Sequence, residues 1–331
     1  MSKKRILSGM RPTGKLHLGH LVGALDNWVK MQEDYECFFM VADWHALMSE
    51  YESPAVLSES IVDNVIDWLS AGIDPARSTI FVQSQVPEHL ELNMIFSCFT
   101  PLGWLERCPT YKEQLREIKT RDLHTYGFLG YPVLQAADIL LYKSDKVPVG
   151  EDQLPHLELT REIARRFNSL YKKEIFPSPE AILTATPRLL GLDGRKMSKS
   201  YNNTINLSDS EEEITKKISN MMTDPKRIRL TDKGHPDVCN VYAYYLTFLP
   251  QLKDETSDCC LNAKAGCTEC KKRFASGLIE KLKPLHEKRR RLLQDKTGVE
   301  KILKTGQEKA AAFAAGTIKE AREAMHLWVI K

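Results

Sequence analysis

The run Cys37-Phe38-Phe39-Met40-Val41-Ala42 is apolar at every position. A strand with one face in water alternates polar and apolar residues, whereas an unbroken apolar run belongs to a strand covered on both faces. Such strands sit in parallel sheets whose crossover helices lie on both sides. The flanking segments agree. Residues 4–9 read as a short buried strand that ends at Gly9, and Thr79–Val82 as another. Between them, Leu21, Leu25, Trp28 and Val29 recur at helical spacing within Leu18–Asp34. Ser53-Pro54 opens a further helix, with Ser53 as its cap and Pro54 at the first helical position. Alternating strands and helices predict an α/β fold with a doubly wound, Rossmann-like parallel sheet, whose ligands bind at the carboxyl ends of the strands.

From about Ser208 the pattern turns to long helical stretches, at residues 211–222, 242–249, 273–294 and 298–327. The predicted division is therefore a nucleotide-binding domain at 1–205 and an all-helical domain at 206–331, with the last helix a candidate to pack back on the first. The weakly periodic piece around Trp104–Leu123 reads as an insertion. Charge divides along the same line. Residues 1–200 hold 23 Lys and Arg against 26 Asp and Glu, while 201–331 hold 24 against 18. The basic half, with runs at 271–273 and 288–291, suits a polyanionic partner, although a solvated helix face produces the same pattern. No apolar run approaches the length of a membrane span and no signal-peptide pattern is present, so a cytoplasmic protein is expected.

Two strings carry chemistry. Pro12-Thr13-Gly14-Lys15-Leu16-His17-Leu18-Gly19-His20 follows the first strand and opens a helix, where free N–H groups and the positive dipole end suit phosphate. Gly19 lets a flat ring lie against the backbone, and His17 and His20 can donate to phosphate oxygens whose charge grows during reaction. Lys196-Met197-Ser198-Lys199-Ser200 places two ammonium groups on a loop, suited to a leaving polyphosphate. Alone, each string has a bland reading: a structural His pair and a solvated loop. Their order around a nucleotide-binding sheet makes chance a poor explanation.

These strings resemble the two signatures of class I aminoacyl-tRNA synthetases. Further strings resemble the bacterial tryptophanyl-tRNA synthetases through essentially the whole chain. They are Leu7–Gly14, Ala42–Ala46, Val82–Ser84, Val86–His89, Tyr131–Leu140, Val147–Gln153 and Leu159–Asn168. The resemblance implies activation of L-tryptophan by ATP with Mg²⁺, transfer to tRNA(Trp), and a homodimer. It implies His17, His20, Lys196 and Lys199 as catalytic. For ATP it implies Arg11, Pro12, Thr13, Gly19, His20, Gly150, Glu151, Asp152, Leu189, Lys196, Met197, Ser198, Lys199 and Ser200. For tryptophan it implies Leu7, Tyr131, Gln135, Asp138, Ile139, Val147, Val149 and Gln153. Many bacterial tryptophanyl enzymes carry methionine at the position of Gln135 and glutamine at that of Arg11.

The nearest rival is a tyrosyl-tRNA synthetase. Asp138 can accept from an indole N–H or a phenol O–H, so it does not discriminate alone. The resemblance implies that tyrosyl enzymes add a tyrosine on the first strand as a second partner for the phenol; Leu7 stands at the matching position here. An apolar wall suits an indole, which has one donor on a large apolar body. A rival of another class is a synthetase-like RNA-binding protein that charges nothing. It has no need of His17, Gly19, His20, Lys196 and Lys199 together.

Eight cysteines remain. In a reducing compartment they are thiols or metal ligands. Cys239-x20-Cys260-x6-Cys267-x2-Cys270 fits tetrahedral Zn²⁺ or a [4Fe–4S] cluster. Cys259 is an alternative to Cys260. A subset of bacterial tryptophanyl enzymes carries an iron–sulfur cluster in the anticodon-binding domain with the same last two gaps, so the cluster is expected ahead of zinc. Cys37, Cys98 and Cys108 lack metal spacing and read as small hydrophobes.

Overall fold

Residues 3–117, 122–183, 189–195, 197–198 and 201–328 are described by the structure, a computed structural model. Contacts divide the chain into two compact units. One is built from Met1–Gly14, Asn27–Ala185 and Asp295–Lys331, the other from Lys15–Asp26 and Thr186–Gln294. The nucleotide-binding (1–205) and all-helical (206–331) segments expected from sequence are a division by motif and pattern, whereas these units are a division by packing.

The first unit holds a parallel sheet of β1 (Arg5–Met10), β2 (Glu36–Val41), β3 (Ser78–Val82), β4 (Lys146–Val149) and β5 (Glu180–Leu183). Its order is β3-β2-β1-β4-β5. Strand β1 pairs with β2 from Arg5↔Glu36 to Met10↔Val41, and with β4 at Ile6↔Lys146. The order therefore reverses at β1, and a crevice opens beyond the carboxyl ends of β1 and β4.

Consecutive residues of β2 show why the run at 37–42 is wholly apolar. Phe39 stacks on Trp28, 4.5 Å between centroids, and Trp28 meets Trp68 edge-on on that face. Phe38 stacks on Tyr142 at 4.7 Å and faces Phe313 on the other. Phe313 belongs to the helix Lys296–Ala324, whose buried positions include Gly306, Ala310, Ala314 and Ala321. Small residues let this helix lie directly on the sheet. A Cβ built at Gly306 would stand 1.8 Å from the backbone oxygen of Ile80 in β3. Backbone cannot swing aside as a side chain can, so Gly306→Val is expected to cost about 3 kcal/mol, the upper end of ordinary overpacking. Urea unfolding at constant m-value would measure it.

In the second unit, Leu16 and Leu18 pair with 205–207: Leu18 N–H donates to the Ile205 carbonyl and Leu207 N–H to that of Leu16, both at 2.9 Å. The helices Glu211–Ser219, Asn240–Phe248, Lys253–Leu261 and Cys267–Gln294 surround Ile214, Ile218, Tyr244, Tyr245, Phe248 and Phe274.

Three expectations change. Leu18–Asp34 is not one helix: Leu18–His20 leads into a wider π-helical turn, Leu21–Leu25, before Asp26–Asp34. Within that turn Leu21, Val22 and Leu25 are all buried. Pro54 occupies the cap position of Ala55–Ala71, and no side chain caps that helix. Cys267–Gln294 begins a turn and a half before the expected start, because its first buried apolar residue is Phe274.

Candidate active site

His17 caps the helix Leu18–His20. Its Nδ1 accepts the Gly19 N–H at 3.1 Å, and His20 Nδ1 accepts the His17 N–H at 3.1 Å. A neutral imidazole that accepts at Nδ1 carries its proton on Nε2. The two rings, 3.8 Å apart, are thereby fixed as Nε2–H donors, the polarity a phosphate needs. A Cβ at Gly19 would come within 2.9 Å of the His17 ring and force it to shift.

Met197, one of the two described residues of the second string, comes to the same place within this unit. The Gly19 Cβ position lies 3.4 Å from Met197 Sδ, and His17 bridges to Asn206. Ser198 N–H donates to Asn203 Oδ1 at 2.8 Å, and Asn203 Nδ2 donates to Asp193 Oδ1 at 2.8 Å. The Asn203 amide, together with Arg195, holds the Asp193 carboxyl down at about 2. Asp193 and Asn203 thus brace the loop base, a role with no signal in the sequence reading. Leu189 is buried in this unit. Lys196, Lys199 and Ser200 lie outside the described residues.

In the first unit, Pro12 is buried and Thr13 N–H closes a tight turn onto the Arg11 carbonyl at 2.9 Å. Gly150 precedes the 3₁₀ turn Glu151–Gln153, and a Cβ there would lie 2.6 Å from Asp152 Oδ1. Beyond the ends of β1 and β4 is a cavity of about 320 Å³. That volume sits near the lower bound of ligand pockets, roughly 300 Å³, and suits one amino-acid-sized molecule. All eight residues expected around tryptophan line it: Leu7, Tyr131, Gln135, Asp138, Ile139, Val147, Val149 and Gln153. Arg11 stands in the same lining.

Asp138 is almost fully enclosed and well partnered. Its carboxylate accepts from His45 Nε2 at 2.7 Å, Gln83 Nε2 at 2.8 Å and His89 Nδ1 at 2.6 Å. His89 Nε2 lies 2.8 Å from the Tyr142 hydroxyl. Burial alone would raise the Asp138 carboxyl; the His45 and His89 imidazoles outweigh it and hold the group below 3.8. A carboxylate offers about four acceptor directions, so three donors leave one for a ligand. His45, Gln83 and His89 were not expected as site residues. They lie inside strings that resemble the family, but their convergence from three separate elements is a tertiary fact.

A second chain of hydrogen bonds runs along the cavity wall. The Tyr131 hydroxyl lies 2.9 Å from His156 Nε2, His156 Nδ1 lies 3.2 Å from Gln153 Oε1, and Gln153 Nε2 donates to Asp152 Oδ2 at 2.8 Å. Burial pushes His156 down to about 4, so it is neutral at pH 7.

Residues 2–283 match the family described as tRNA synthetases class I (W and Y). The chain belongs to that family. This synthetase is 54% identical over 328 residues to the tryptophan–tRNA ligase of Thermotoga maritima, covering 98% of this chain and 99% of that protein. To the tryptophan–tRNA ligase of Aquifex aeolicus it is 43% identical over 394 aligned positions, covering 98% and 100%. The crystal structure of Campylobacter jejuni tryptophanyl-tRNA synthetase complexed with ADP and tryptophan superposes with a TM-score of 0.89 at 35% identity. It covers 98% of this chain and 100% of that one.

The cysteines of the synthetase's second unit gather at a separate, smaller cavity of about 70 Å³. Cys239, Cys259, Cys260, Cys267 and Cys270 all line it, with Arg227 and Tyr245. Cys239 occupies the N-cap position of Asn240–Phe248, and Cys267 and Cys270 the first turn of Cys267–Gln294. Arg227 Nη1 reaches Cys267 Sγ at 4.0 Å while its Nη2 holds the Ala265 carbonyl. Burial pushes the Cys270 thiol up to about 11 and raises Cys239 and Cys260 as well. Among the described residues no three His, Cys, Asp or Glu side chains are placed to hold a metal ion. Among the described residues, also, no helix is long and apolar enough to cross a membrane.

Proposed function

We infer that the chain is a tryptophan–tRNA ligase that works in two steps. The tryptophan carboxylate oxygen attacks the α-phosphorus of ATP, forming tryptophanyl-adenylate as the bond to pyrophosphate breaks. A ribose hydroxyl of the 3′-terminal adenosine of tRNA(Trp) then attacks the carbonyl carbon, releasing AMP. The observation that carries this reading is a cavity lined in part by the apolar side chains of Leu7, Ile139, Val147 and Val149 together with Asp138, whose three donors leave one acceptor direction unused. An indole has one donor and matches it.

Catalysis is alignment and charge stabilisation, with no side chain as nucleophile. His17 and His20 donate Nε2–H to phosphate oxygens. Lys196 and Lys199 supply positive charge to the departing pyrophosphate, and Mg²⁺ bound with ATP would share that charge. Asp152 accepts from ribose hydroxyls, and Tyr131, Gln135 and Gln153 hold the amino and carboxylate end of tryptophan. Residues 1–205 catalyse and 206–331 read the anticodon. The protein works in the cytoplasm as a homodimer; Leu90 and Met94, one helical turn apart and exposed with Leu102, offer apolar surface for a second copy.

ATP–pyrophosphate exchange with tryptophan and tyrosine side by side tests the reading. A phenol oxygen without its second partner loses roughly 1–3 kcal/mol, up to about two decades. Exchange is expected with tryptophan, and tyrosine is expected about 100-fold weaker. Equal or greater exchange with tyrosine would make the chain a tyrosyl enzyme, and exchange with no amino acid would favour the non-charging RNA-binding alternative.

Cys239, Cys260, Cys267 and Cys270 line one cavity and would be the ligands of a [4Fe–4S] cluster, with zinc as the alternative. Zinc would take the four thiolates at one ion, a cluster one thiolate at each of four irons. When bound, the cluster would tie three helices together next in sequence to Lys271 and Lys272, basic residues for the anticodon, and to Arg273, which pairs with Glu255. Anaerobically purified protein is expected to contain about four irons and four acid-labile sulfides per chain. Colourless protein containing zinc would refute the cluster.

A further inference from the structure

We propose that His156 is a positioning residue that fixes the Tyr131 hydroxyl as a hydrogen-bond acceptor for the substrate's ammonium group. This rests on the reading of the cavity as an amino-acid site. The direction of each hydrogen bond follows from the far end of the chain. The Asp152 carboxylate can only accept, so Gln153 must turn its Nε2 towards it, at 2.8 Å. Gln153 Oε1 then faces His156 Nδ1, which must carry the proton. His156 Nε2 is left with a lone pair, and the Tyr131 hydroxyl, 2.9 Å away, must donate to it. With its proton committed, the Tyr131 oxygen presents only lone pairs to the cavity it lines.

The reverse arrangement is closed at both ends. A protonated His156 would donate from both nitrogens and turn the phenol proton towards the ligand, but burial keeps this imidazole neutral. Flipping the Gln153 amide would set its oxygen against the Asp152 carboxylate. Burial, and then the neighbouring Cys108 thiol, push the Tyr131 phenol upward, so it keeps the proton it donates. A sequence alone shows four polar residues; the fold gives them one polarity.

Calorimetric titration with three indoles tests this without nucleotide: L-tryptophan, tryptamine, which has only the ammonium, and indole-3-propionate, which has only the carboxylate. In His156→Leu the phenol proton is released to the cavity. Tryptophan and tryptamine are expected to bind tenfold or more weakly, while indole-3-propionate changes by less than twofold. A purely structural role would weaken all three alike, and that result, or no change, overturns the proposal.

Asp152 is exposed, so its variants provide a test that does not depend on the folding of His156→Leu. Asp152→Asn and Asp152→Ala lose the same charge, but only asparagine keeps an acceptor for Gln153. Tryptamine is expected to bind asparagine at least threefold more tightly than alanine at this position; equal affinities overturn the proposal. If the unmodified protein binds none of the three indoles, the tryptophan reading itself fails instead.

Discussion

Asp138→Asn is expected to weaken tryptophan binding about 10- to 100-fold. Hydrogen bonds to a charged acceptor contribute roughly 1.5–3 kcal/mol, and the indole N–H would lose one. The loss should be specific to that hydrogen. β-(3-Benzothienyl)-alanine keeps the bicyclic shape but replaces N–H with sulfur, so the native protein should prefer tryptophan and the variant should barely distinguish the two. The same substitution should lower stability by about 3–5 kcal/mol, because an amide would face the His45, Gln83 and His89 donors with N–H groups of its own.

The effect has a pH signature. The Asp138 carboxyl is held below 3.8, so the stability it contributes is present above about pH 4 and is lost as pH falls through its folded-state value. The variant should lack this component of the acid limb, which thermal melts from pH 3 to 7 would show.

His20→Ala is expected to reduce the exchange rate about 10²- to 10³-fold, the usual consequence of removing one preorganised donor from a developing phosphate charge. Tryptophan affinity without nucleotide should stay within twofold. The fold should lose only about 1 kcal/mol, since the ring also accepts the His17 N–H as part of a helix cap. His20→Asn keeps a side-chain donor and should recover part of the rate. A loss of tryptophan binding equal to the loss of exchange would mean that the ring supports the fold rather than the phosphate.

Legibility from the sequence followed the range of the interaction. Strands β1 to β3 were readable because their apolar runs are local, and the paired burial of Phe38 and Phe39 on opposite faces explains the run at 37–42. Strand β4 was not readable as a strand. It is four residues long and contains Pro148, yet lies between β1 and β5. Strand β5 is an edge without a fully buried residue, so its sequence carries no strong strand pattern. The π-helical turn at Leu21–Leu25 has the same apolar residues an α-helix would use.

The candidate site divides similarly. His17, Gly19 and His20 form a contiguous unit whose chemistry is visible in four letters. Residues expected around tryptophan came from separate strings, and the fold brings all eight to one cavity. What the sequence could not reveal is what those residues bond to. The three partners of Asp138 are 93, 55 and 49 positions away from it. The brace between Asp193 and Asn203 and the polarity of the Tyr131–His156–Gln153–Asp152 chain likewise exist only once the elements are packed.

A crystal structure of the protein with bound L-tryptophan tests the central claim most directly. The account predicts the ring inside the cavity beyond β1 and β4, with its nitrogen about 3 Å from an Asp138 carboxylate oxygen. Tryptophan bound elsewhere, or an indole nitrogen turned away from Asp138, would contradict it.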